Sequence, residues 1–83
     1  MHYVYLIKSQ NHDFKYIGET SDLKERFKQH NAGKNFSTKP YAPYRLIYYE
    51  AYANKLDAID REKKLKQFGS SWSHLMKRVA KSF

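Results

Sequence analysis

The sequence predicts an α/β (α+β) fold: a small three-stranded antiparallel sheet flanked by about three helices, in the order β-β-α-β-α-α. Three observations carry that expectation. Two short segments near the start alternate in side-chain character across a polar turn. A longer strand-like run follows at residues 44–52. Around these, three segments switch to helical spacing, each preceded by a capping residue.

In residues 2–8, Tyr3, Tyr5 and Ile7 fall on one face, with Val4 and Leu6 on the other. Residues 14–20 repeat the pattern, with Phe14, Tyr16 and Gly18 against Lys15, Ile17 and Glu19. Ser9 to Asp13 is polar, so the pair reads as a β-hairpin. Apolar side chains on both faces predict a sheet covered on both sides. Thr20, Ser21 or Asp22 can cap a first helix running to about Asn31, with Gly33 as its stop signal. Residues 32–43 read as a loop, and Tyr44 to Tyr52 as the third strand. Asn54 can cap a second helix from Lys55 to about Phe68, ended by Gly69. Ser70 or Ser71 can cap the last helix, where Trp72, Leu75, Met76, Val79 and Phe83 form a core stripe.

Eighty-three residues are expected to make one small domain, 1–83. A chain of this size buries only about 60–65% of its unfolded surface, so its core must be dense. Eight tyrosines and five phenylalanines can supply one without disulfides. The absence of cysteine excludes a disulfide scaffold and any thiolate metal site. Sixteen Lys and Arg against eight Asp and Glu give a net charge of +8. That excess suits a polyanion partner, since cations that neutralise phosphates release counterions; a solvated basic surface is the plainer alternative. No basic leader or long apolar run opens the sequence, so the expected location is soluble and cytoplasmic.

Helical geometry separates inward from outward charges. Leu23, Arg26, Phe27 and His30 form one stripe, with Lys24, Glu25, Lys28 and Gln29 opposite. Arg26 beside a core stripe must find an anion. In the second helix, Ala58, Ile59, Glu62 and Leu65 share a stripe, while Asp57 and Asp60 lie on the far side. An inward Glu62 needs a cation, either Arg26 or a bound metal. Tyr5 and Tyr16 hold corresponding places on paired strands, where tyrosines also serve as plain packing. Gly18 leaves space on the Tyr16 face for close approach of a backbone or ligand. No two histidines have metal-ligand spacing, which argues against a zinc site.

In order and spacing, Tyr3-Val4-Tyr5, Tyr16-Ile17-Gly18, Thr20, Arg26, His30, Asn31 and Glu62 resemble the GIY-YIG nuclease domain. The likeness runs from Tyr3 to about Leu65 and includes Gly33, Thr38, Pro43 and Arg61-Glu62. It is similar to the small stand-alone bacterial members, related to the nuclease subunit of excision repair and to structure-specific resolvases. The resemblance implies a catalytic set of Tyr5, Tyr16, Arg26, His30 and Glu62, with Gly18, Thr20 and Asn31 as structural parts of the motif. It implies a DNA endonuclease assisted by one divalent cation, Mg²⁺ or Mn²⁺, held by Glu62. Arg26 would hold the nonbridging phosphate oxygens. Tyr5 or Tyr16 would be the general base, its phenolate favoured by nearby positive charge. His30 would relay the proton or bind phosphate.

Lys34, Lys39, Arg61, Lys63, Lys64 and Lys66 are expected to contact the DNA backbone. No motif reads base edges, so cutting should be structure-dependent or weakly sequence-specific, in DNA repair or recombination, with a partner protein as one source of specificity. Three features depart from the family pattern. The first motif lacks its initial glycine, Glu19 follows the second, and no asparagine occurs after Asn54. The alternative reading is a noncatalytic nucleic-acid-binding module that retains the nuclease fold.

Overall fold

The computed structural model, which describes residues 1–83, has the expected elements in the expected order. They are β1 (His2–Ser9), β2 (Lys15–Thr20), α1 (Leu23–Asn31), β3 (Tyr44–Tyr52), α2 (Lys55–Lys66) and α3 (Ser70–Arg78). Single 3-10 turns add Lys39–Tyr41 and Ala80–Ser82. The sheet is antiparallel throughout, in the order β2-β1-β3. Tyr5 of the central strand therefore faces Gly18 on one side and Tyr49 on the other.

Both faces of the sheet are covered, as alternation with apolar side chains on each face requires. On one face, Val4, Leu6 and Ile17 pack with Ala58 and Leu65 of α2, and with Leu75 and Val79 at α3. On the other, Tyr5, Ile7 and Tyr44 pack against Phe14, Tyr16, Leu23 and Phe27. Trp72 and Met76 join the first cluster, whereas Phe83 is exposed because the chain leaves the helix after Arg78.

Short side-chain bonds set the angles of the helices. The Thr20 hydroxyl oxygen accepts from the Asp22 N–H at 3.1 Å, turning the chain out of β2. Asp22 then caps α1 by accepting from the Glu25 N–H at 3.1 Å. Gly33 adopts φ +72° just past the helix end. Asn31 accepts from the Tyr44 N–H at 2.6 Å, which ties the end of α1 to the start of β3. Asn54 caps α2 through the Leu56 N–H at 2.8 Å. Two boundaries differ from the sequence expectation. Helix α2 stops at Lys66, and Phe68 rather than Gly69 takes the left-handed position, with φ +56°. Gly69, not a serine, occupies the N-cap position of α3, and no side chain caps it.

Arg61 departs from its expected role. Its guanidinium clasps Glu50 of β3, with Nε 3.0 Å from Oε1 and Nη2 3.0 Å from Oε2. Tyr48 donates to the same carboxylate at 2.8 Å, and Tyr52 donates as well. Burial opposes the charge on Glu50, but hydrogen bonds from Arg61, Tyr52 and Tyr48 outweigh it and hold its carboxyl below the usual range. Arg61 thus anchors α2 to the sheet edge instead of offering an open fork to DNA. Replacing Arg61 with Leu should lower the unfolding free energy by about 2–4 kcal/mol, because it strands a largely buried carboxylate. Urea denaturation measures this, with exposed Lys63→Leu as a control expected to change stability by under about 0.5 kcal/mol. An equally small loss for Arg61→Leu would contradict the anchoring role.

Candidate active site

Position 18 governs the site. Tyr5 sits directly across from Gly18, and its ring lies over the glycine. A Cβ at position 18 would lie 2.5 Å from Tyr5 Cζ and 2.9 Å from Cε1, too close for any side chain. The space expected to admit a backbone or ligand is filled by Tyr5 itself.

That crossing delivers the Tyr5 hydroxyl to His30 Nε2 on α1, at 2.7 Å. His30 Nδ1 lies 2.7 Å from Thr38 Oγ1, and all three residues are buried. Burial, reinforced by the nearby Arg26 charge, lowers the His30 pKa to about 4, so its ring is neutral at pH 7. A neutral imidazole has one donor and one acceptor. Arg26, the charged neighbour of Tyr5, can only donate, so the Tyr5 O–H donates to Nε2. The Nδ1–H then donates to Thr38 Oγ1, whose own hydrogen points to the Asn35 carbonyl at 3.5 Å. The Tyr44 hydroxyl donates to the Thr38 carbonyl at 2.6 Å and holds this loop in place. Beyond the lone pair that faces Arg26, the Tyr5 oxygen has one left to accept from the site.

Burial drives the Tyr5 phenol up to about 12, outweighing the lowering by Arg26. This reverses the expectation that positive charge makes a phenolate accessible, at least for Tyr5. Tyr16 is only half-buried; its ring centre lies 6.5 Å from that of Tyr5 and 5.3 Å from that of His30.

Glu62 faces inward as expected, and its ion-pair partner within the protein is Lys66 rather than Arg26. Lys66, one turn further along α2, places its ammonium 3.5 Å from Glu62 Oε2 and 5.3 Å from the Tyr16 ring centre. Arg26 lines a polar cleft of about 180 Å³ with His2, Glu19, Thr20, Ser21 and Lys55. The Glu19 carboxylate in that cleft pairs with His2 at 3.5 Å. No carboxylate forms a salt bridge with Arg26. Arg26 is partly exposed to this cleft and open to an anionic ligand.

No group of three or more His, Asp or Glu side chains is placed to hold a metal ion. Glu62 would be a single hard oxygen ligand. Such a donor suits a cation that keeps most of its waters and takes other ligands from phosphate, the usual habit of Mg²⁺. It does not suit zinc.

The expected DNA-contacting cations divide. Lys34, Lys39 and Lys63 are exposed. Lys64 pairs with Asp60 at 3.2 Å, Lys66 with Glu62, and Arg61 with Glu50. Tyr44 and Asn35 support the site without having been singled out. Their contacts arise only when the 32–43 loop folds back on α1, and no local pattern reports that. The Glu62–Lys66 pair was readable from its i,i+4 spacing.

The GIY-YIG catalytic domain family model matches residues 1–78. A UPF0213 protein of Staphylococcus haemolyticus is 38% identical over 68 residues, covering 81% of this chain and 82% of that protein. One from Clostridium perfringens is 37% identical over 68 residues, covering 81% of this chain and 72% of the relative. The solution NMR structure of a UPF0213 protein from Bacillus halodurans matches with TM-score 0.56 and 28% identity, covering 94% of this chain and 83% of that one.

The His30 shift has a pH consequence. The unfolded chain takes up this proton near pH 6.5, whereas the folded chain resists until about pH 4. The stabilisation is complete above pH 6.5 and is lost as pH falls toward 4. Between pH 7 and pH 5 the wild type should lose about 2 kcal/mol more than His30→Gln does. Chemical denaturation of both proteins at each pH measures the difference. Parallel pH profiles would contradict a buried neutral His30.

Proposed function

The chain belongs to the GIY-YIG catalytic domain family, and from that premise we propose that it is a DNA endonuclease assisted by one divalent cation. The observation that carries this reading is the isolated Arg26 charge. It stands beside a buried Tyr5–His30 pair with no carboxylate in salt-bridge contact. A scissile phosphate answers that charge.

Arg26 holds the nonbridging oxygens as negative charge builds, a task its planar fork performs better than an ammonium. Tyr5 accepts a hydrogen bond from the attacking water, since its own proton is directed to His30. It takes the water's proton as it passes its own to His30 Nε2, so a free phenolate near neutral pH is unnecessary. Phosphate bound on Arg26 offsets one of the two causes that depress the His30 pKa, which helps the imidazole accept at that moment. Tyr16 contacts the phosphate from the open side. Glu62 holds the cation once the Lys66 ammonium gives way. When bound, Mg²⁺ or Mn²⁺ supplies Lewis-acid stabilisation of the phosphate and the leaving 3′ oxygen.

Lys34, Lys39 and Lys63 provide phosphate contacts, which position a duplex without reading its sequence. Cutting is therefore structure-dependent or weakly sequence-specific. The Glu62–Lys66 pair favours one other reading, a binding module in which Lys66 permanently fills the cation's place.

One experiment separates the two. Wild type, Arg26→Ala and Glu62→Ala are incubated with labelled duplex, flap, nicked and branched DNA, with Mg²⁺ or Mn²⁺ and with chelator. Cleavage by the wild type should disappear with chelator and with Glu62→Ala, and kcat/KM should fall by about 10²–10³ in Arg26→Ala. Salt-sensitive binding without cutting, unchanged by Glu62→Ala, would establish the binding module instead.

A further inference from the structure

A separate cavity, of about 370 Å³, has Tyr16 in its wall and shares no residue with the Arg26 cleft. Phe14, Tyr16, Phe68 and Trp72 line it, with Lys15 and Lys66 at its margin. Where the Arg26 cleft is wholly polar, this one is walled largely by aromatic rings. Phe68 is the unusual member. It is 63% exposed, so it contributes little to the core. It also sits just past the end of α2 with φ +56°, a position usually given to glycine. A bulky side chain in that conformation is strained, and strain of this kind gathers at functional sites. Gly69, the next residue, has open space around it and a negative φ of −95°. The chain thus holds a strained, exposed aromatic beside an unused glycine. Its ring meets Trp72 edge-on, with centroids 5.1 Å apart.

We propose that this cavity is a stacking site for one unpaired nucleobase next to the cleaved phosphate. The proposal rests on the endonuclease reading above and names what that site selects. Aromatic rings take any base on its π-face, and stacking on them is tolerant of sequence. Lys15 and Lys66 at the margin already pair with Asp13 and Glu62, so the affinity of the cavity comes from its aromatic walls. Lys66 reaches from the cavity margin to Glu62 and the Tyr16 ring, linking the cavity to the catalytic cluster. A base paired within a duplex is already stacked and cannot enter without cost. Flaps, bulges and branch points offer free bases, so the cavity favours those structures over plain duplex.

Trp72 is the sole tryptophan, and its fluorescence reports on the cavity directly. Metal-free protein is titrated with a single-stranded oligothymidine, the same strand made abasic, and a blunt duplex of equal length. The single strand should quench Trp72, while the abasic strand and the duplex should not. Phe68→Gly should weaken single-strand binding by about five- to a hundred-fold and leave duplex binding unchanged. Its Tm should be no lower than that of wild type, because relief of the left-handed strain offsets the lost Trp72 contact. Single-strand binding without quenching, or a Phe68→Gly variant that binds like wild type, overturns the stacking site and leaves the endonuclease reading intact. The second result would point to a protein partner at Phe68. Failure of every oligonucleotide to bind overturns both.

Discussion

The close passage of Tyr5 over Gly18 is the constraint on which the site depends. A tyrosine on a central strand ordinarily stands clear of its neighbour, its hydroxyl pointing away from the sheet. Here the missing side chain at position 18 lets the ring lie across β2 and reach α1. Its hydroxyl then meets His30 at hydrogen-bond distance, and Arg26 lies one turn earlier on the same helix. Asn31 fixes where that helix ends by holding the first residue of β3. The loop between them returns Thr38 to the far nitrogen of His30. One absent Cβ therefore aligns residues drawn from β1, β2, α1 and a loop.

The electrostatics follow from burial. The Tyr5 phenol is pushed up and the His30 imidazole down, both chiefly by removal from water. At neutral pH the pair is uncharged, and it lies against an arginine with no partner. Some charges on α2 are paired. Glu50 and Arg61 neutralise one another at the sheet edge, and Asp60 and Lys64 pair on the exposed side of α2. Arg26 differs from the other unpaired cations in lying against the buried Tyr5–His30 pair. Such pairs of titratable groups, pushed apart by their surroundings, are typical of acid–base work.

Much of this was legible in the sequence because periodicity reports burial. The stripe of Leu23, Arg26, Phe27 and His30 put the arginine and histidine toward the sheet, and both lie there. The third strand and the Asn54 cap emerged with the expected bounds. The roles of neighbours were less readable. Arg61 looked like a solvent-facing cation, since nothing local shows that Glu50, eleven residues earlier, turns toward α2. Gly18 suggested open space, but only the strand register reveals that Tyr5 fills it. The left-handed turn fell on Phe68 rather than Gly69, against intrinsic preference, and so lay outside what propensity can report. The direction of the Tyr5 shift was missed for a related reason. Nearby charge can be read from a sequence, whereas depth of burial needs the packed fold.

The central claim is that His30 is neutral and accepts the Tyr5 O–H hydrogen bond on Nε2, which leaves a lone pair of the phenol oxygen to accept from water. Imidazole ¹⁵N chemical shifts of His30 at pH 7 test it directly. The account requires a protonated Nδ1 and an unprotonated Nε2, with the ring staying neutral well below pH 6. An Nε2–H tautomer, or an imidazolium at pH 7, would contradict it, because Tyr5 would then be the acceptor and its oxygen no longer free for water.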